Sequence, residues 1–488
     1  MDRTIGTDHG VPAAESTPAH GKLEGNLGVF HLVFTVMAFQ APIVAFLAYT
    51  PVAILLGNGL GTPVAFAIAG VILALFAVGL LAMAKHVPNP GGFYAFITAG
   101  LGRRIGLGSS LVAIICYYFT LVGIYVLIGV SLRSLCTDLF NGPEISWWLW
   151  ALTAFVAVTV LGHFRMDVSA NVLTVFLVAE LALVIAYDIA VVARVGIDAL
   201  SLQPLSMHNI FSGSLGLALM FGVGLYGGFE ATLVFREEVR DPDRTIPAAT
   251  YIVIALVAAL FSVSALIFIN AYGGEAVLSA VGNGMGSSLA SMQEYVGATA
   301  MNIAEILLVT SSFAITLAAH NISARYLYNL GVDEIIHPSV GRAHAKHGSP
   351  YMASALVGLA VLAVLVPFTV SGSDPYVFYA HFVGVYSYSL LLLLFLTAVA
   401  VPAFLLRNRA DAMTTVVNSI VCPVLSIIPL GLVLIMATKN FDLLIGGSRS
   451  LATIMLIGLY GAFAGGILLA TYYKRVRPDV FARIGRQE

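Results

Sequence analysis

Apolar stretches of about 20 residues recur from one end of the chain to the other, separated by short polar loops. A helix rises about 1.5 Å per residue, so about 20 apolar residues cross the hydrocarbon core of a bilayer. Twelve such stretches are predicted as membrane spans. They lie at roughly 30–50, 63–84, 107–133, 147–162, 170–193, 212–235, 248–272, 300–327, 353–370, 376–405, 416–438 and 451–473. The loops leave no room for a sizeable soluble domain. The expected fold class is an all-α integral membrane protein. Residues 1–26 read as a disordered tail, 27–474 as one twelve-span domain and 475–488 as a second tail.

Two spans depart from an uninterrupted apolar pattern. The sixth carries Gly222, Gly224, Gly227 and Gly228 at its middle, with Glu230 just beyond. Glycine inside a helix costs about 1 kcal/mol relative to alanine, and an unpaired backbone group in hydrocarbon costs several. Five spans earlier, the first span has Gln40 and Pro42 near its centre. Proline removes a donor and clashes with the preceding turn. Interrupted helices at matching positions mark transporters built from inverted repeats, with the site at the breaks. Spans 1–5 and 6–10 therefore read as two inverted five-helix units, with two further helices behind. The alternative is that Pro42 only kinks its span and the glycines only allow close packing.

Composition agrees with the pattern. Hydrophobic residues are 59% and charged residues 10%, with mean hydropathy +0.95, whereas soluble domains carry roughly 25% charge. The start of the chain lacks the basic, apolar and small-residue regions of a signal peptide. Lysine and arginine concentrate on the inner side of a membrane. With both termini in the cytoplasm, only Arg133, Arg194, Lys439 and Arg449 of the 23 basic residues fall outside. The net charge of −2 indicates no particular partner.

Three stretches resemble the amino acid–polyamine–organocation permeases, and more narrowly their amino acid permease branch. The first is Pro88-Asn89-Pro90-Gly91-Gly92-Phe93-Tyr94-Ala95-Phe96, running on to Gly100-Leu101-Gly102. The second is Gly228-Phe229-Glu230 with Glu237-Glu238, Asp241-Pro242 and Arg244-Thr245-Ile246-Pro247. The third is Ser323-Ala324-Arg325 with Asp333 and Pro350. The resemblance covers about residues 25 to 475. It implies intertwined inverted repeats and uptake by alternating access, usually driven by protons or sodium. It also implies a substrate site at the two breaks. The family commonly has Gly-Ser-Gly at the first break, where backbone N–H groups receive a substrate carboxylate. This chain has Ala41-Pro42-Ile43-Val44. Pro42 has no N–H to offer, so an amine or polyamine becomes a stronger alternative to an amino acid.

The expected substrate-binding residues are Gln40, Ala41, Pro42 and Ile43 at the first break and Tyr226, Gly227, Gly228 and Phe229 at the second. Tyr117 and Tyr118 in span 3 are added as possible walls, since an aromatic face attracts an ammonium. Charged residues inside a membrane are costly and by default functional. Glu180, in the middle of span 5, is the expected proton-coupling residue. In proton-coupled relatives a lysine can occupy about this position, eleven residues after a serine matching Ser169, in place of a sodium ion. The bland alternative is a protonated glutamate bonded between helices. Glu230 is expected to cap the freed amides, to gate, or both. Asp188, Arg194 and Glu305 read as interfacial. His320 and His381 read as packing residues ahead of proton relays.

Other chemistries find little support. Gly222-Val-Gly-Leu-Tyr-Gly fits a dinucleotide fingerprint by letter, but lies within an apolar span rather than after a strand. No lysine is followed by serine or threonine, so there is no phosphate loop. The three cysteines form no disulfide or metal spacing. No catalytic residue, metal site, cofactor or nucleic-acid partner is expected. The expected partners are a small amino acid or amine, a proton (sodium less so) and the lipid bilayer, for a monomer or homodimer. A channel would be expected to repeat a filter element around an axis, and an enzyme would need a catalytic pair facing a cavity.

Overall fold

In a computed structural model, the described residues are 28–87, 92–163, 170–234, 239–344, 349–407, 415–445 and 448–485. The expected tail at 1–26 and the charged residues 236–238 lie outside them. So do Pro88–Gly91 and Ser169. The described residues are all-helical.

Nine helices among the described residues are long and apolar enough to cross a bilayer, and a bent pair makes a tenth. The pair is α1 (Val29–Gln40) and α2 (Pro42–Leu56). There follow α3 (Thr62–Ala84), the short α4 (Phe93–Leu101), α5 (Arg103–Ser134), α6 (Trp147–His163) and α7 (Ala170–Val195). The sixth segment is split into α8 (Leu215–Gly224) and α9 (Ala231–Val234). Next come α10 (Pro242–Ala271), α11 (Met285–Tyr295), α12 (Ala298–Val332), α13 (Tyr351–Ser371) and α14 (Pro375–Arg407). The chain ends with α15 (Cys422–Lys439), α16 (Arg449–Val476) and α17 (Pro478–Arg483). The apolar helices in the fourth and sixth segments are shorter than a full span, at Trp147–Leu161 and Leu215–Gly224.

The packing carries the repeat. Number the first ten segments in order and exchange each with the one five places on. The contact α1–α10 then becomes α8–α3, α1–α7 becomes α8–α14, and α5–α6 becomes α12–α13. Likewise α5–α14 becomes α12–α7, α3–α14 becomes α10–α7, and α6–α12 becomes α13–α5. The pairs α3–α10, α5–α12 and α6–α13 map onto themselves. All these contacts are present. Five is odd and successive spans alternate in direction, so each helix and its counterpart run opposite ways. An inverted repeat has this signature.

Helices are close-packed where small residues let backbones meet. A side-chain carbon on Gly222 would press on Ala69 of α3 at 2.9 Å. The outward faces of α7 and α16 expose Val175, Val178, Ile185 and Ile189, and Leu451, Ile454, Ile457 and Leu468. Such continuous apolar faces need lipid around them. Beyond the bundle, Val480 and Ile484 bury against Tyr94, Leu107, Leu330, Ile335 and Ala470. Arg477 and Arg483 both bind Glu334 there, the latter at 3.2 Å. These hydrogen bonds hold the Glu334 carboxyl below the usual carboxylate range. Part of the segment expected as a tail is thus a docked helix.

Candidate functional site

The first break is made by Pro42. Its ring cannot follow a continuing helix, because it would clash with the Ala38 carbonyl four residues back. That carbonyl instead accepts the Ala41 N–H, at 3.3 Å. Ala41 takes φ 42°, ψ 79°, a left-handed conformation, which costs a non-glycine residue roughly 1–2 kcal/mol. Pro42 then opens α2, where a missing N–H costs nothing. The next N–H, on Ile43, points out of the helix and is accepted by Glu180 Oε2 at 3.1 Å. The other oxygen, Oε1, accepts the hydroxyl of Ser311 on α12. Glu180 is 2% exposed. One carboxylate on α7 therefore ties the break of the first span to α12.

The second break runs from Leu225 to Glu230. The N–H groups of Leu225, Tyr226, Gly227 and Phe229 turn back onto carbonyls three or four residues earlier. Gly228, at φ 97°, carries the reversal that L side chains avoid. Its N–H is accepted by Glu230 Oε2 at 3.0 Å. Each break thus frees an N–H, and in each the acceptor is a carboxylate of this chain.

Between the breaks lies a cavity of about 100 Å³. Gln40, Tyr49, Tyr117, Thr120, Gly227, Gly228, Glu230, Tyr379 and Tyr386 give it polar groups, while Val44, Ile124, Leu225, Ile315, Val383 and Leu390 give it apolar walls. Two of these side chains are fixed by carbonyls of α8, just before the second break. The Tyr49 hydroxyl donates to the Phe221 carbonyl at 2.9 Å and lies 2.7 Å from Ser387 Oγ. The Tyr386 hydroxyl donates to the Gly224 carbonyl at 3.4 Å. The Gln40 amide has neither its nitrogen nor its oxygen partnered within the protein. A buried amide without partners points to a ligand or water that completes it.

Five residues expected at the site, Gln40, Tyr117, Gly227, Gly228 and Glu230, meet at this cavity. The others are placed elsewhere. Ala41, Pro42 and Ile43 form the break behind it, and Glu180 sits on that break's far side. Tyr118, next to Tyr117, points the other way around α5 and donates to the Ala360 carbonyl at 2.6 Å. Tyr226 is turned onto α3, where its hydroxyl reaches the Phe66 carbonyl at 3.2 Å. Phe229 packs edge-on against Phe76. Tyr117 and Tyr118 are neighbours in a helix and point about 100° apart, so they face different sides. Tyr49, Tyr379 and Tyr386 were missed. The tyrosine-rich start of α14 was the available signal, but nothing in the sequence shows which tyrosine faces inward.

Asp188, Glu305 and His320 each pair with a serine. Asp188 accepts the Ser264 hydroxyl at 2.6 Å, and Glu305 that of Ser134 at 2.8 Å. His320 Nε2 lies 2.7 Å from Ser354 Oγ. Among the described residues no group of three or more His, Cys, Asp or Glu is arranged to hold a metal ion.

The amino acid permease family matches residues 31–474. The chain belongs to the amino acid permease family. The low-affinity putrescine importer PlaP of Escherichia coli is 24% identical over 353 residues, covering 70% of this chain and 75% of that protein. The branched-chain amino acid permease BcaP of Bacillus subtilis is 23% identical over 376 residues, 72% of this chain and 77% of its own length. An uncharacterized transporter of Mycobacterium tuberculosis is 24% identical over 223 residues. This permease is therefore a multi-pass membrane transporter for amino acids or amines.

Proposed function

We propose that this permease is a secondary active transporter that takes up its amino solute by alternating access, coupled to protons through Glu180. The observation that carries the reading is the pair of hydrogen bonds made by the Glu180 carboxylate. It accepts from Ile43, in the broken first span, and from Ser311, in α12. Ionised, both oxygens accept. Protonated, one oxygen becomes a donor; the Ile43 N–H still needs an acceptor, so the proton falls on the oxygen facing Ser311, whose hydroxyl must turn to accept it. Loading a proton therefore reverses the bond between Glu180 and Ser311, removes the negative charge beside the first break and biases the bundle toward a second arrangement. A two-state element whose balance a bound proton shifts is what coupling requires.

The test is counterflow in vesicles. Protein loaded with unlabelled substrate should transiently concentrate labelled substrate, and net uptake should rise with an inward proton gradient and ignore sodium. Leak without counterflow would indicate a channel, and a changed compound would indicate an enzyme. Strict sodium dependence would refute proton coupling and recast Glu180 as an ion ligand.

The same reading puts both termini in the cytoplasm, on the strength of the basic-residue bias. A cysteine replacing Asp243, at the start of α10, should resist membrane-impermeant maleimide in intact cells and react after the membrane is opened. Labelling from outside would invert the topology.

A further inference from the structure

The C-terminal end of α5 and the N-terminal end of α12 meet around one hydroxyl group, at the outer end in the topology proposed above. Ser134 Oγ lies 2.8 Å from Asp138 Oδ2, in the turn that follows α5, and 2.8 Å from Glu305 Oε1 on α12. A serine hydroxyl has one proton to donate. If both carboxyls were ionised, one of the two contacts would set a hydroxyl oxygen against a carboxylate oxygen with no proton between them. One carboxyl therefore carries a proton, and the surroundings choose which. Asp138 is exposed, and its other oxygen accepts the Thr137 hydroxyl at 2.8 Å. Glu305 is 3% exposed, and its Oε2 has no partner within the protein. Ionised, Glu305 would leave buried negative charge with no donor, which is strongly disfavoured. Protonated, it donates through Oε1 to Ser134, Ser134 donates to Asp138, and Oε2 is a neutral carbonyl oxygen. The other groups at this end leave the assignment in place. Arg133 is turned to the exposed Glu144, at 3.2 Å. Asp374, just before α14, accepts the Tyr376 N–H at 2.8 Å. On α11, Glu294 is exposed, and its carbonyl is taken by Arg194. Neither α6 nor α13 contains an aspartate, glutamate, lysine or arginine.

We infer that Asp138, Ser134 and Glu305 form a second proton-binding site, separate from Glu180 and open to the external side, in which two carboxyls share one proton. It goes beyond the coupling proposed for Glu180 and takes only its outer placement from the topology reading. Asp138 is the member in contact with external water. Release of the proton would leave two carboxylates competing for one hydroxyl and would break the link between α5 and α12. External pH then acts on this end of the bundle through a group other than Glu180.

Infrared difference spectroscopy on purified, reconstituted full-length protein reads a protonated carboxyl directly through its C=O band. A band present at neutral pH should be lost in Glu305→Gln and kept in Glu180→Gln and Glu230→Gln. Glutamine can donate to Ser134 as the protonated acid does, so the variant should fold. Asp138→Asn removes the like charge and frees the Ser134 hydroxyl for an ionised Glu305, so the band should weaken by about half or more at the same pH. If Glu305→Gln loses no band, the inference falls whatever the transport assays show. A band unchanged in Asp138→Asn would overturn the sharing of the proton. In vesicles with internal pH held fixed, the profile of substrate exchange against external pH should lose an inflection in Glu305→Gln that Glu180→Gln keeps. Identical profiles for Glu305→Gln and the unaltered protein would refute the action on the bundle, and an inflection that follows internal pH would overturn the outer placement. Absence of exchange in the unaltered protein would count against the transport reading alone, because the spectra need no transport. If Glu305→Gln does not fold, the Asp138→Asn spectrum decides.

Discussion

Replacing Glu180 by glutamine is expected to abolish uphill accumulation. The side chain keeps its length, and its amide oxygen can still accept the Ile43 N–H now bonded to Oε2. The link to Ser311 can persist with the serine hydroxyl as acceptor. Glutamine resembles the protonated acid but cannot release a proton. The cycle then loses its step that binds and frees a proton, while substrate-for-substrate exchange needs no such step. Accumulation driven by a proton gradient should fall to the level of empty vesicles, with counterflow retained within a few fold. Glu180→Gln protein that still concentrates substrate would show that the proton travels by another group, and Glu230 would be examined next. Loss of counterflow as well would mean that Glu180 chiefly holds the break in shape. An isolated buried carboxylate costs too much to keep without compensation, so either result would show what compensates it.

Gly228→Ala is expected to be the most damaging single-methyl change at the site. Its φ of 97° lies beyond even the left-handed region that an L residue enters at roughly 1–2 kcal/mol. Relaxing it would swing the Gly228 N–H away from Glu230 and move Glu230 itself. At Gly227 the added carbon would overlap the Tyr386 hydroxyl, and at Gly224 the Tyr49 hydroxyl, and each hydroxyl would have to move. Both hydroxyls hold the cavity wall. Uptake at equal surface expression should drop about tenfold or more for Gly228→Ala, which corresponds to only about 1.4 kcal/mol. Gly461→Ala is the matched control, because a carbon there meets nothing within 4 Å, and helix propensity favours the change. If Gly228→Ala transports normally, the reversal at the second break is not required for function.

The two breaks were legible because they depend on residues whose backbone constraints are local. Pro42 removes a donor and disfavours a continuing helix, and Gly228 supplies a φ that other residues avoid. Gln40, Tyr117 and Glu230 followed as neighbours of the breaks or by chemical type. Tyr118, Tyr226 and Phe229 did not reach the cavity. Their spans are apolar all round, so hydrophobicity does not mark which face is inward. In a soluble helix the polar face would have settled the matter. The docked end of the chain, with Val480 and Ile484 buried, was also unread, because a six-residue helix flanked by charges has little pattern of its own.

By itself the sequence determined the class and the positions where two helices break. Each follows from a local cost: desolvation of polar groups in lipid, a missing N–H, a missing side chain. Only the tertiary structure decided which groups answer those costs. Glu180 and Ile43 are 137 residues apart, and Glu180 and Ser311 are 131 apart. No local rule connects them. They meet because the repeat's inverted packing brings α7, the first break and α12 together, and burial there favours an acceptor for the freed Ile43 N–H. At both breaks that acceptor is a carboxylate.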